Sequence, residues 1–261
     1  MAGKANFNRH DKSGSIERLS SESESWRLSV PPGPANQYRW AQLDDYSSLP
    51  RSRFLWRPPV TLALDARVSS LNLPGTWGFG FWNDPFNISL GLGGSVRRLP
   101  ALPNSAWFFH ASPPNYLSLR DDLPAQGFLA ATFRSPHIPV PLMALGVPFL
   151  PLLKWSWMAR LLRRPGSRMV HQSAALLTID STQWHHYALT WMEQQVVCEI
   201  DGKKVMETSI SPRGPLGLVL WIDNHYAAFT PQGKISLGTL PGDQTMQLEL
   251  KNISLENHVD H

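Results

Sequence analysis

The stretch Asn104-Ser105-Ala106-Trp107-Phe108-Phe109-His110-Ala111 sets a hydroxyl, an indole and an imidazole in an apolar run that reads as a central strand flooring a cleft. His110 is its one group that titrates near neutral pH. A positioned imidazole can carry proton transfer in an isomerisation, cyclisation or elimination. Strand alternation puts Trp82 with Asp84, and Trp221 with Asp223, on shared faces. Either carboxylate could then assist His110 as a general acid/base, with Asn224 as a further polar contact. No Asp or Glu occurs from Pro100 through Arg120, so this strand cannot supply a pair of acids. Asp44 and Asp45 are adjacent and would face opposite ways if extended, which suits a solvated turn better than a catalytic pair. No His/Cys cluster has zinc spacing and no metal ligand is assigned. No cofactor is expected, although a structural calcium site built from scattered Asp and carbonyl oxygens would leave no compact signature.

The elements that must hold these residues are mostly strands. The chain has 261 residues, 42% hydrophobic and 17% charged, enough to bury a sizeable core in one main domain. Its 23 prolines, 18 glycines and 11 tryptophans favour short strands and tight turns over long helices. In residues 60–68 the period-two pattern puts Val60, Leu62, Leu64, Ala66 and Val68 on one face. Gly78 and Gly80 mark a strand that another backbone or a ligand approaches closely. Asp201-Gly202 is expected to be a two-residue hairpin turn, and residues 218–224 and 246–253 read as a buried strand and a closing strand.

The polar segment 1–25 is expected to be a disordered tail, 26–256 the folded domain and 257–261 a second tail. Residues 135–165 break the β rhythm as an apolar, proline-interrupted insertion. Within it, 155–164 is read as an amphipathic helix with Trp155, Trp157, Met158, Leu161 and Leu162 on its apolar side and Ser156, Arg160, Arg163 and Arg164 on the other. Trp155, Trp157, Leu161, Arg160 and Arg164 are therefore candidates for a lid over an oily pocket or for contact with a membrane surface. The net charge of +4 is concentrated locally, since no Asp or Glu lies between Asp122 and Asp180. Basic residues set among large apolar ones suit a lipid surface better than nucleic acid, for which no motif is present. The lone Cys198 cannot form an internal disulfide, and the N-terminal residues lack the apolar core of a signal peptide. The expectation is a cytoplasmic protein, with peripheral membrane attachment as an addition.

Four segments in order resemble the concanavalin A-like lectin/glucanase superfamily, and more closely the family-16 glycoside hydrolases, over roughly residues 30–256. They are Ala66-Arg67-Val68 with Pro74-Gly75-Thr76-Trp77 through Phe81-Trp82-Asn83-Asp84-Pro85; Trp184-His185-His186-Tyr187-Ala188-Leu189-Thr190-Trp191; Ile200-Asp201-Gly202-Lys203; and Gly214-Pro215-Leu216-Gly217-Leu218-Val219-Leu220-Trp221. The resemblance implies an all-β jelly-roll sandwich of two antiparallel sheets with a partly helical insertion, and structural roles for His185 and His186. In the hydrolases a strand carries Glu-x-Asp-x-x-Glu, whose glutamates act as nucleophile and acid/base. That chemistry needs carboxyls about 5 Å apart. Alignment by order places Ser105, Trp107 and His110 there, which makes standard retaining glycosidase activity improbable.

The resemblance leaves a cleft lined by Trp82, Ser105, Trp107, Trp221 and Asn224. The leading expectation is a cleft that binds a small hydrophobic or amphiphilic molecule. Two alternatives stand beside it: a non-hydrolytic isomerase, cyclase or lyase using His110, and a lectin-like domain binding a glycan.

Overall fold

A computed structural model describes residues 2–3, 6–20, 24–85, 98, 101–138 and 155–257. Strands are numbered in chain order. One sheet runs, edge to edge, β13 (Lys203–Thr208), β12 (Val196–Ile200), β11 (His185–Trp191), β6 (Val60–Val68), β17 (Met246–Asn257), β4 (Ser25–Val30) and β3 (Ser15–Ser20), with β1 (Ala2–Gly3) also paired to β17. The other runs β10 (His171–Leu176), β9 (Gly127–Arg134), β8 (Ser105–Ala111), β7 (Thr76–Trp82), β14 (Gly217–Asp223), β5 (Trp40–Asp44) and β2 (Asn8–Lys12). A separate ribbon pairs β15 (His225–Phe229) with β16 (Ile235–Thr239), and a helix, α1 (Ser156–Met169), precedes β10. Every pairing in the two sheets is antiparallel. The chain is a jelly-roll sandwich with a small helical insertion.

Alternation builds the layer between the sheets. Val60, Leu62, Leu64, Ala66 and Val68 of β6 are all buried, and they meet Trp77, Phe79 and Phe81 of β7, Ala106 and Phe108 of β8, and Leu218, Leu220 and Ile222 of β14 in one cluster. Each of these strands therefore shows its other face outward, and the outer face of the seven-stranded sheet carries Trp82, Trp107, Trp221 and Asp223. The Asp201-Gly202 turn joins β12 to β13 with both residues at positive φ (51° and 71°), as a two-residue hairpin requires.

Three expectations are corrected. Residues 8–20 are not a disordered tail: β2 joins the edge of one sheet and β3 the edge of the other, so the segment bridges the sandwich. Edge pairing supplies backbone hydrogen bonds that composition does not register, and Phe7 and Ile16 reach the core, with Phe7 edge-on to Trp26 at 6.3 Å. Asn257 belongs to β17 and not to a tail. Asp44 and Asp45 are buried and not solvated. Asp44 accepts from the backbone N–H of Tyr46 (3.2 Å) and Ser47 (2.8 Å), while Asp45 accepts from the Trp56 indole (2.5 Å) and the Leu218 N–H (2.9 Å). Of the 135–165 insertion, residues 139–154 lie outside the described residues.

Gly80 has φ +150°, and a Cβ added there would lie 2.4 Å from the Ala106 carbonyl oxygen and 2.6 Å from Trp107 Cα. Both obstacles are backbone of the neighbouring β8 and cannot swing aside. Gly80→Ala is therefore expected to lower the unfolding free energy by roughly 3 kcal/mol, the upper range for single substitutions, measured by urea denaturation. Gly166→Ala, where an added Cβ meets nothing within 4 Å, is expected to be neutral or mildly stabilising in α1.

Candidate functional site

Three tryptophans from three adjacent strands meet on the outer face of the seven-stranded sheet. Ring centroids of Trp107 lie 5.8 Å from Trp82 and 5.5 Å from Trp221, and Trp82 and Trp221 are 6.3 Å apart with planes within 5° of parallel. They fit because β7 has no side chain at two positions beneath them. A Cβ at Gly78 would lie 2.8 Å from Trp221 Cη2, and one at Gly80 would lie 2.6 Å from Trp107 Cβ. The Trp221 ring therefore lies over Gly78, and all three indoles are half-exposed. The Ser105 hydroxyl and the Trp107 indole N–H are buried beside them with no hydrogen-bond partner among the described residues.

A second hydrophobic cluster covers the β8–β9–β10 half of this face. Phe109, Leu129, Ala131 and Phe133 pack there under Leu117 and Leu119 of the loop after β8 and Val170 at the end of α1. A cavity remains between Phe109, Leu117, Phe133 and Gln172, with about 10 Å³ of room, the size of one water. Enclosed small-molecule sites are about 300–1,000 Å³, so this cavity is no receptacle for an organic ligand.

At the open end, Asp223 gathers donors. Its Oδ1 accepts from the Thr76 hydroxyl (2.9 Å), the Thr76 N–H (3.2 Å) and the His225 N–H (3.1 Å), and its Oδ2 from the Tyr38 hydroxyl (3.4 Å). The Trp221 indole donates to Thr76 Oγ1 (2.9 Å), tying the aromatic floor to the carboxylate. Burial outweighs these donors and pushes the Asp223 carboxyl up to about 6. Burial and the same carboxylate push the Tyr38 phenol up, and burial pushes His225 down. Tyr38 stacks on Trp40 at 6.3 Å and Trp40 on His10 at 6.5 Å, which extends the aromatic surface across β5 to β2.

Several expected site residues are placed elsewhere. His110 faces the core, stacked on Trp77 at 5.7 Å in the layer that holds Phe108 and Phe128. The pairing of β8 with β7 and β9 runs unbroken from Ser105 to Ala111, so the step of three from Trp107 to His110 changes face, and Phe109 takes the outward position. Burial pushes the His110 imidazole down, and it cannot act on a ligand over the tryptophans. Asp84 does not share the face of Trp82 as an open carboxylate. Its φ of 48° breaks the alternation, and it forms a buried ion pair with Arg98 at 2.8 Å. Arg98 also donates to the carbonyls of Tyr46 (2.7 Å) and Ser47 (2.9 Å), so the pair pins the loop after β5. Asn224 binds the chain and not a ligand: it accepts from Arg39 N–H (2.9 Å) and donates to the carbonyls of Gln37 (2.9 Å) and Leu240 (2.8 Å).

His185 and His186 bond Asp201 (2.6 Å) and Asp65 (2.7 Å) on the opposite sheet. Sequence reading missed Thr76, Tyr38 and Arg98, because nothing local marks a threonine at a strand start or an arginine far from the carboxylate it neutralises. Among the described residues no group of three or more His, Cys, Asp or Glu is placed to hold a metal ion.

The outer face holds no carboxylate pair of glycosidase type between Asp44 and Asp223. Asp44 pairs with Val219, four residues from Asp223 on β14, or roughly 13 Å of strand. Retaining and inverting enzymes hold theirs about 5–5.5 and about 6.5–9.5 Å apart.

No protein-family model and no curated protein matches the chain. Solved structures do. A glycoside hydrolase family 16 endo-glucanase from Bacteroides ovatus is 10% identical, with 96% of this chain and 93% of that chain covered and a TM-score of 0.49. A legume lectin-like domain from Entamoeba histolytica is 9% identical, with 96% and 88% covered and a TM-score of 0.46. A sialidase is 10% identical with a TM-score of 0.44; 97% of this chain is covered, but this chain spans only 17% of that chain's length.

Asp223 titrates near 3.8 when unfolded and about 6 when folded. Between those values the unfolded chain holds fewer protons, so this group makes stability fall as pH rises from about 4 to about 6. Asp223→Asn keeps an oxygen for the Thr76 and His225 donors and removes the titration. Its unfolding midpoint, relative to the unsubstituted protein, is expected to be higher at pH 7 than at pH 4, measured by thermal unfolding. An unchanged pH slope would contradict the burial of this carboxyl.

Proposed function

We propose that the protein binds a small amphiphilic molecule on the open half of this outer face, without hydrolysing glycosides. The carrying observation is the packed triad of Trp82, Trp107 and Trp221, in which Trp221 is hydrogen-bonded through Thr76 to the Asp223 carboxyl. Indole faces accept apolar rings and chains, while Asp223 and Tyr38 offer a hydrogen-bonding end. The partnerless Ser105 hydroxyl and Trp107 N–H add polar atoms beside the same rings, and buried polar groups favour a partner. The cavity under Leu117 is too small to enclose a ligand, and the surface offered among the described residues is the aromatic one.

The near-parallel Trp82 and Trp221 rings favour a second reading. Two parallel indoles beside a carboxylate also suit stacking against a sugar ring, which would make the ligand a glycan.

Fluorescence titration with the amphiphilic dye anilinonaphthalene sulfonate separates the readings. Binding that weakens about tenfold or more, about 1.4 kcal/mol, in both Trp221→Ala and Trp107→Ala with unchanged circular dichroism is the expected result. Dye binding indifferent to both substitutions sinks the amphiphile reading. Soluble oligosaccharides that bind calorimetrically and are lost in Trp221→Ala would replace it with the glycan reading.

A further inference from the structure

The helix α1 does not bury the apolar side that its sequence pattern favours: Ser156 and Arg160 are exposed as expected, but so are Trp157 and Leu161. The side turned inward carries Ala159, fully buried, and Arg163, 5% exposed. Trp157 and Leu161, one turn apart, are 61% and 57% exposed, and Trp155 just before the helix is 56% exposed. The side chains of Leu162 and Arg164 lie outside the described set. Arg163 accounts for this: it donates to the Phe229 carbonyl (2.6 Å) and to Asp121 (2.7 Å), and its guanidinium lies 5.4 Å from the ring centres of both Tyr116 and Phe229. One buried cation satisfied in this way fixes the helix rotation and leaves the apolar side chains in water.

The exposed surface continues onto the ribbon. Arg160 donates to the Gln232 carbonyl (3.1 Å), and a Cβ on Gly233 would lie 2.0 Å from the Ser156 carbonyl oxygen, so α1 and the β15–β16 turn are in contact. Register sets Phe229 opposite Ile235 and Ala227 opposite Leu237, which places Ile235 and Leu237 on the ribbon face that receives Arg163. Ile235 is 38% and Leu237 68% exposed.

The charged side chains of α1 and of the ribbon turn are all basic. Arg160 and Arg168 stand three and eleven residues from Trp157 and so share its side of the helix, and Lys234 immediately precedes β16. No Asp or Glu occurs from residue 123 to 179 or from 224 to 242. The nearby acids are both paired, Asp121 with Arg163 and Asp122 with Arg120.

We propose that α1 and the β15–β16 ribbon form a docking surface for an anionic lipid bilayer. Tryptophans at the level of the headgroups, leucines just below them and arginines among them are the composition of an interfacial helix. Here arginines stand among exposed Trp and Leu with no acid on either element, which is complementary to a dense array of phosphates above hydrocarbon. No helix among the described residues is long and apolar enough to cross a membrane; the attachment is to the surface. The docking face is distinct from the tryptophan triad, and either assignment can fail without the other.

The test is co-sedimentation of the full chain with phosphatidylcholine vesicles, with and without about one-third phosphatidylserine, at low and high salt. The expected result is binding to the anionic vesicles at least about tenfold stronger than to neutral ones and weakened by salt. Trp157→Ala combined with Leu161→Ala, both solvent-exposed, should lower it about tenfold with an unchanged unfolding midpoint, and Arg168→Gln about fivefold, the worth of one basic residue at such a surface. Failure of the unsubstituted protein to sediment with anionic vesicles at low salt overturns the proposal, as does equal binding by the double variant. Self-association in solution abolished by the same double substitution, without vesicle binding, would assign the face to a second copy and overturn it too.

Discussion

Successive residues of a strand point to opposite faces, and β8 keeps that rule without a break from Ser105 to Ala111. Everything on the outer face depends on this continuity. Ser105, Trp107 and Phe109 go outward because Ala106, Phe108 and His110 go into the layer between the sheets. A single bulge after Trp107 would exchange Phe109 for His110 and put an imidazole over the cleft. Its absence gives the face an aromatic floor and leaves the histidine stacked on Trp77 between the sheets.

The floor also depends on what β7 omits. Gly78 stands where a side chain would displace the Trp221 ring, and Gly80 where one would meet the Trp107 Cα and Cβ. Trp82 and Trp221 lie with near-parallel planes, and Trp221 reaches Thr76 and through it Asp223. The other half of the face is occupied by the protein itself, since Leu117, Leu119 and Val170 pack onto Phe109 and Leu129. The molecule thus spends half of its concave surface on a second small core and keeps the rest as a mixed aromatic and polar strip running from Trp82 toward Trp40.

Most of the fold was legible in the chain because alternation, turn glycines and strand-length apolar runs are local signals. Val60 through Val68 and the Asp201-Gly202 turn appear where the pattern put them. The N-terminal segment was misread for a physical reason: polar strands at sheet edges draw stability from backbone pairing, which low hydrophobicity does not reveal. The helix was misread differently. Its apolar stripe suggested which side would be buried, but the cation stacking and hydrogen bonds of Arg163 outcompeted that stripe for the inward position.

By itself the sequence determined a β-rich domain, a central strand without acids, and a set of tryptophans and glycines at strand spacing. These are properties of residue type and separation along the chain. Tertiary structure decided which of those residues meet. It sent His110 inward through an unbroken register, consumed Asp84 with Arg98 and Asn224 with three backbone groups, and brought Thr76 of β7 and Tyr38, just before β5, to Asp223 of β14. Such pairings follow from sheet order and long-range hydrogen bonding, which no local pattern encodes.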